Sequence, residues 1–405
     1  MTNPSARMCA GFAAALESLG NVLLRTVRRL LWPCSYNNAI VRRICVYRIG
    51  NIGDVICALP AIKAIRSAYP DAHLTLLTSP GAPGSLGAVH LLTHAPWLDQ
   101  IMEYSNSDIT GYSGRKALLL KLRENKFDLW ISLPSTLDCF WRQILVMCFA
   151  RLCGVHQGIG WQLGMIRWFK RAQSEYRTFP NEVERLCGLV RSNGIPVQEI
   201  EYGLPIESCH RAMAGQAIEE SGLLGFPLVA IGPGAKRPTN NWPSDRFVEI
   251  ARRLVWLGYG VVIVAGEAER DTCGKIEKAI GTNVANMAGR CSLLESCALL
   301  ERCEFLVCVD SGVQHMAAAV GTPCVSIFSA RDFPGMWWPQ GEHNVILRHR
   351  VECDTCLLEY CPKENFCMNA ISTEDVWVAI NCIKDQIEER GVPNFGHQSY
   401  EVEST

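Results

Sequence analysis

The stretch Phe305–Phe328, FLVCVDSGVQHMAAAVGTPCVSIF, constrains the fold more than any other part of the chain. Phe305–Val309 is a short apolar run rich in β-branched residues, the signature of a strand buried on both faces of a parallel sheet. It stops at Asp310-Ser311-Gly312. Gln314–Val320 is Ala-rich and helix-prone, and Gly321-Thr322-Pro323 ends it before a second apolar run, Cys324–Phe328. The unit is strand, tight turn, helix, strand. Such a turn aims the helix's free N–H groups past the strand end, where an anion is stabilised. Ser311 adds a hydroxyl, Gly312 lets the backbone approach closely, and His315 lies about one turn into the helix. Alone, an ordinary βα turn capped by Asp and Ser gives the same pattern, so its meaning depends on what stands beside it.

The alternation recurs. In the second half, strands are expected at Leu228–Gly232, Gly260–Ala265, Phe305–Val309 and Cys324–Phe328, with helices at Ser244–Leu257, Glu269–Ile280, Leu293–Arg302 and Val313–Val320. Nearer the start, the strand Arg43–Arg48 runs through Ile49–Asp54 into a helix over Val55–Ala68, and His73–Thr78 follows as a strand. Further strands are expected at Leu98–Tyr104 and Phe127–Leu133, and helices at Phe140–Leu152 and Asn181–Ser192. Strands alternating with helices specify doubly wound parallel sheets. A length of 405 residues accommodates two of them. The fold class is therefore α/β, two Rossmann-like domains facing a cleft. The expected boundaries are an extension over 1–43, a first domain over 44–205, a linker over 206–226 marked by Pro and Gly, a second domain over 227–385, and a polar tail over 386–405.

Balanced charge, 39 basic against 40 acidic residues, argues against a protein defined by affinity for nucleic acid. Of the 20 cysteines, many lie inside apolar runs and read as small buried hydrophobes. No secretory signal or membrane-spanning run is visible, so a cytoplasmic location is expected. Residues 1–43 carry six Arg and one Glu, and 16–32 (LESLGNVLLRTVRRLLW) place Leu and Val at helical spacing beside Arg25, Arg28 and Arg29. That segment reads either as an interfacial membrane contact or as a helix packed on the domain. The aromatic and basic stretch Trp161–Phe179 reads as a surface near an anionic or sugar-bearing partner, or as a staple between helices.

Chemistry concentrates in turns at strand ends. After the first strand, Gly50-Asn51-Ile52-Gly53-Asp54 opens a helix without the three-glycine dinucleotide spacing, so a nicotinamide site is weakly supported. Asp54 at the helix start is either a capping carboxylate or a base held ionised by the helix dipole. In the second domain, Gly232–Arg237 brings Gly234, Lys236 and Arg237 to a strand end, a composition that suits phosphate oxygens. Glu267 and Glu269 follow the next strand, where a carboxylate can accept hydrogen bonds from ribose hydroxyls. The third turn is Asp310–His315. Together the three favour a site for a nucleotide diphosphate.

The motifs RIGNIGDVICALPAIKAIRSAYPDA, GPGAKRPTNNWPSDRF and VDSGVQHMAAAVGTP, with the closing cysteines CDTC…C…CM, make the chain resemble glycosyltransferase family 9, the ADP-heptose:lipopolysaccharide heptosyltransferases. The resemblance runs from about Arg43 to Ile380. It implies a two-domain GT-B fold and an inverting, metal-independent transfer of heptose from ADP-heptose to a lipid-linked glycan at the inner face of the inner membrane. It further implies Asp54 as catalytic base with Gly50, Asn51 and Gly53 on the acceptor side. Asp310, Ser311, Gly312 and His315 would form the diphosphate loop, and Glu267 or Glu269 would bind the ribose. One departure stands out. Relatives carry Lys or Arg just before the Trp-Pro, where this chain has Asn240-Asn241, so Lys236 or Arg237 would have to neutralise the leaving diphosphate.

Cys353, Cys356, Cys361 and Cys367 lie within fifteen residues. Four thiols can close a tetrahedral zinc or iron site, but only the first pair is CxxC, and a structural knuckle without metal is the other reading. A metal here would be structural, since a thiolate cage leaves no open position. Three rivals share the architecture: the same transfer to a protein or capsular glycan, a nucleotide-sugar epimerase, and a non-catalytic nucleotide-sugar-binding protein. An epimerase would favour acid/base pairs on both sides of the cleft, and the sequence offers only Asp54 clearly.

Overall fold

The computed structural model describes residues 4–32, 41–80, 86–164 and 178–388. The core of the Trp161–Phe179 stretch (165–177), most of the polar tail (389–405) and residues 33–40 lie outside the described residues. The chain divides into two compact units: Met1–Arg177 with Glu182–Gly203, and Thr178–Asn181 with Leu204–Thr405.

The first unit holds five strands, β1 (Arg43–Tyr47), β2 (His73–Thr78), β3 (Gln100–Glu103), β4 (Leu129–Ser132) and β5 (Gln157–Ile159), in the order β3-β2-β1-β4-β5. Every pairing is parallel, with Cys45 opposite both Thr75 and Trp130. Ile44, Cys45 and Val46 are wholly buried, as a central strand covered on both faces requires. The helix Ile52–Ala68 packs against Glu182–Ser192. Strand order reverses between β1 and β4, so the turns after these two strands border a crevice at the carboxyl edge.

The second unit is a six-stranded parallel sheet: β6 (Leu228–Gly232), β7 (Gly260–Ile263), β8 (Val284–Asn286), β9 (Cys303–Val309), β10 (Cys324–Phe328) and β11 (Val345–Arg348), ordered β11-β10-β9-β6-β7-β8. The reversal lies between β6 and β9, which puts the turns at Gly232 and Asp310 side by side. Phe305 and Phe247 are fully buried here. The Trp-Pro of the GPGAKRPTNNWP motif is structural. Trp242 stacks edge-on against Phe247 at 4.9 Å and donates Nε1–H to the Ile371 carbonyl at 2.9 Å, while Pro243 begins the helix Ser244–Trp256.

Two expected boundaries differ. The segment 206–226, expected as a linker with a short helix in it, carries the helix Ser208–Glu220, which packs on Leu293–Leu300 inside the second unit. Its buried Ala214 and Ile218 supply an apolar face that the flanking Pro and Gly obscured. The N-terminal helix Pro4–Leu31 packs on Phe140–Leu152. Leu24 is buried, Trp32 stacks on Trp161 at 5.4 Å and donates Nε1–H to the Val155 carbonyl, so this helix is part of the first unit.

Candidate functional site

In the first unit the site forms where β1 ends. Arg48 leaves the strand fully buried, and Gly50 turns the chain with φ +151°, a conformation that favours glycine. A Cβ on Gly50 would meet the Asp54 Cβ at 2.3 Å, so the absent side chain makes room for the carboxylate. Asp54 caps its own helix: Asn51 N–H donates to Oδ2 at 3.0 Å. Its other oxygen, Oδ1, receives Arg48 Nη2 at 3.2 Å, and the Asp54 side chain remains 23% exposed. The carboxylate is thus anchored through both oxygens and still partly exposed.

Arg48 was not singled out in the sequence, yet it holds this corner together. Nη1 donates to the carbonyls of Leu133 and Pro134, both at 3.3 Å, tying the β1 turn to the β4 turn across the strand-order reversal. Nη2 also reaches Glu182 Oε1 at 3.0 Å, and Arg185 grips both oxygens of Glu182 at 2.7 Å. Burial alone would raise the Glu182 carboxyl; Arg185 and Arg48 more than offset it and hold its pKa low. Burial likewise disfavours the Arg48 cation, but Glu182 and Asp54 raise its pKa overall. The result is a fixed, ionised Arg48–Glu182–Arg185 cluster behind Asp54.

In the second unit three turns meet at the carboxyl ends of β6, β7 and β9. A Cβ on Gly234 would strike Glu269 Cγ at 2.5 Å, so the β6 and β7 turns are in contact through this carboxylate. Glu267 instead lies exposed, pairs with Arg270 at 3.1 Å and packs over Gly289. Of the two glutamates, Glu269 borders the crevice. Lys236 is exposed, and Arg237, 44% exposed, reaches Glu359 at 3.6 Å.

The β9 turn is the densest. Asp310 Oδ2 receives Asn240 Nδ2 at 2.9 Å and Oδ1 receives Gln314 Nε2 at 3.0 Å, while Asn240 Oδ1 accepts the Ser329 hydroxyl at 2.7 Å. Burial first, then the neighbouring Asp332 carboxylate, push Asp310 up to about 7; Arg237, Arg331 and the Asn240 amide favour its ionised form. Asn240 is therefore built in as a hydrogen-bond donor to Asp310 rather than left as a vacant cation position. Ser311 stands at the start of the helix Gly312–Ala319 with its hydroxyl buried and without a partner in the protein. His315 is buried, its ring edge-on to Trp337 at 6.3 Å.

The cysteine loop braces the neighbouring turns after β10 and β6. Thr355 and Leu357 N–H groups donate to the carbonyls of Ala330 and Arg331, and Ala330 N–H donates to Cys367 Sγ at 3.4 Å. Buried Arg331 and Arg348 clasp the loop through the Leu358 carbonyl and Asp354. Asn365 Nδ2 reaches back to the Pro238 carbonyl at 2.7 Å. Burial is the main reason the Cys367 thiol is raised, with Cys361 and Cys353 adding to it. Among the described residues, however, no three His, Cys, Asp or Glu side chains are placed to hold a metal ion. As the loop stands, hydrogen bonds and ion pairs do the bracing.

Residues 115–366 match the family model for glycosyltransferase family 9 (heptosyltransferase). Lipopolysaccharide heptosyltransferase 3 of Escherichia coli K12 is 26% identical over 77% of this chain and 92% of its own length. The crystal structure of a family 9 glycosyltransferase from Veillonella parvula superposes with a TM-score of 0.66 at 19% identity, over 85% of this chain and 97% of that one. The structure of E. coli ADP-heptose lipopolysaccharide heptosyltransferase II gives 0.63 at 20% identity, over 85% and 99%. With a family match across more than half its length and the same pair of parallel sheets, this chain belongs to glycosyltransferase family 9.

Proposed function

We propose that this glycosyltransferase moves a heptose from ADP-heptose to the inner core of a lipopolysaccharide precursor on the cytoplasmic side of the inner membrane. The observation that carries the reading is Asp54, an anchored and partly exposed carboxylate at the reversal point of the first sheet. In this account Asp54 accepts the proton of the acceptor hydroxyl as that oxygen bonds to the anomeric carbon. The bond from that carbon to the β-phosphate oxygen breaks, ADP leaves, and the configuration inverts. Gly50, Asn51 and Gly53 border the acceptor.

The donor falls to the second unit. The Ser311 hydroxyl and the free N–H groups opening Gly312–Ala319 receive the diphosphate, with Gly234 allowing close approach, Lys236 and Arg237 supplying charge, and His315 backing the helix. Glu269 takes the ribose hydroxyls, and Glu267, turned toward Arg270, does not. Asp310, raised to about 7 by burial and by Asp332, carries less than a full negative charge beside the leaving diphosphate at neutral pH. The cysteine loop serves as a brace for the turns after β6 and β10 and takes no part in the chemistry.

A thermal-shift panel of ADP, UDP, GDP and CDP tests the donor assignment. A ligand at about a hundred times its Kd adds roughly 2.7 kcal/mol to the native state. ADP is expected to raise the midpoint selectively. Selectivity for UDP or GDP would keep the reaction type and reject ADP-heptose as donor.

A further inference from the structure

The N-terminal helix Pro4–Leu31 leaves one face uncovered. Leu19, Val22, Leu23 and Leu30 are 46–75% exposed and follow one another at helical spacing, while Leu24 on the opposite face is buried against the domain. The helix it packs on, Phe140–Leu152, shows the same arrangement: Trp141, Leu145 and Leu152 are 71%, 69% and 62% exposed, and Cys148 between them is exposed as well. Spacings of four, three and four put these side chains on a single stripe. Two neighbouring helices of one unit therefore each present an apolar stripe to solvent. A soluble monomer rarely leaves that much apolar surface on neighbouring helices without a use.

The charge around the stripes identifies the partner. Arg25 and Arg29 are exposed beside the first stripe, with Arg28 next to them; Arg142 and Arg151 are exposed beside the second. Phe140–Leu152 contains no acid, Asp138 just before it pairs with Arg142 at 3.2 Å, and residues 15–32 contain only Glu17. One Glu17 oxygen is buried without a partner, and burial raises the carboxyl to about 7. Apolar stripes edged by arginine and almost free of acids fit an anionic lipid surface, in which the stripes enter the headgroup boundary and the guanidiniums meet phosphates. The helices are short of a span: no described helix is long and apolar enough to cross a membrane.

We propose that the paired faces of Pro4–Leu31 and Phe140–Leu152 form one docking surface for an anionic bilayer, with Trp141, Leu145 and Leu152 as much a part of it as the N-terminal helix. The proposal deepens the proposed function, on which it rests only for the meaning of docking, namely that the lipid-borne acceptor is met there.

Full-length protein is sedimented with vesicles of phosphatidylcholine alone or mixed with phosphatidylglycerol. Binding is expected only with the mixed vesicles and is expected to fall steeply with added salt, since exposed charges are screened within about 8 Å at physiological ionic strength. Trp141→Ser combined with Leu145→Ser should weaken it by roughly tenfold or more, from the apolar area no longer buried. Arg25→Glu combined with Arg29→Glu should abolish the preference for phosphatidylglycerol. All four positions are solvent-exposed, and the ADP thermal shift of each variant, expected to match wild type, verifies folding. Full vesicle binding by the Trp141/Leu145 variant would overturn the proposal. So would failure of wild type to sediment, or a dimer in sedimentation equilibrium that the same variant dissociates, which would assign the face to a second copy. Loss of nucleotide selectivity with vesicle binding intact would count against the activity and leave this surface standing.

Discussion

Asp54→Asn is expected to lower the turnover of heptose transfer by roughly 10²–10⁴-fold, the usual contribution of a positioned general base, while ADP affinity stays within about twofold of wild type. The expectation follows from what the substitution leaves alone. An amide oxygen still accepts the Asn51 N–H that caps the helix, and Arg48 keeps its contacts to Glu182, Leu133 and Pro134. Proton acceptance is removed, together with the ion pair between Asp54 and Arg48. Donor affinity belongs to the other unit in this account, so kcat and ADP binding should separate. Calorimetry with ADP and a transfer assay on the same preparation read both quantities. Unchanged turnover would remove Asp54 as base.

Glu182→Ala should be among the most destabilising single changes in the first unit. It strips one of the two carboxylates paired with Arg48, a fully buried guanidinium, and the counter-charge of Arg185. Breaking a buried pair from one side costs about 3–5 kcal/mol. In a unit of this size each kcal/mol moves the midpoint by about 2–4 °C, so a drop of roughly 6–20 °C is expected in thermal melts. Activity should fall as well, because Arg48 positions Asp54. Glu182→Gln keeps the shape and removes the charge, and separates the two effects through pH. The native carboxyl is held below its ordinary value, so its stabilisation is present above that value and is lost as pH falls through the lowered pKa. Wild type should therefore lose stability on acidification more steeply than the Gln variant. Parallel acid limbs would deny the cluster its role.

Much of the scaffold was legible because buried parallel strands are written as continuous apolar runs. Leu228–Gly232, Cys324–Phe328 and the helix Phe140–Leu152 fall where the pattern put them. The short strands Gln157–Ile159, Val284–Asn286 and Val345–Arg348 were missed. All three lie at sheet edges, pair on one side only, and are too brief to show a period. The turns that carry the chemistry announced themselves through glycine at strand ends. Their support did not. Arg48 and Glu182 are 134 residues apart, and each alone reads as a surface charge. Asn240 read as a missing cation; only its bonds to Asp310 and Ser329 reveal an amide fitted to a buried carboxyl whose pKa is raised. The exposed stripe Trp141–Leu152 was equally hidden, since an apolar helix in sequence looks like core until its neighbours are known.

Incubating the purified chain with ADP-heptose and an inner-core lipid acceptor, with masses followed by mass spectrometry and the new linkage assigned by NMR, decides whether heptose is transferred. The account predicts an acceptor heavier by one heptosyl residue, one ADP released per transfer, and an inverted anomeric linkage. An acceptor of unchanged mass, with the same preparation still binding ADP, would contradict it.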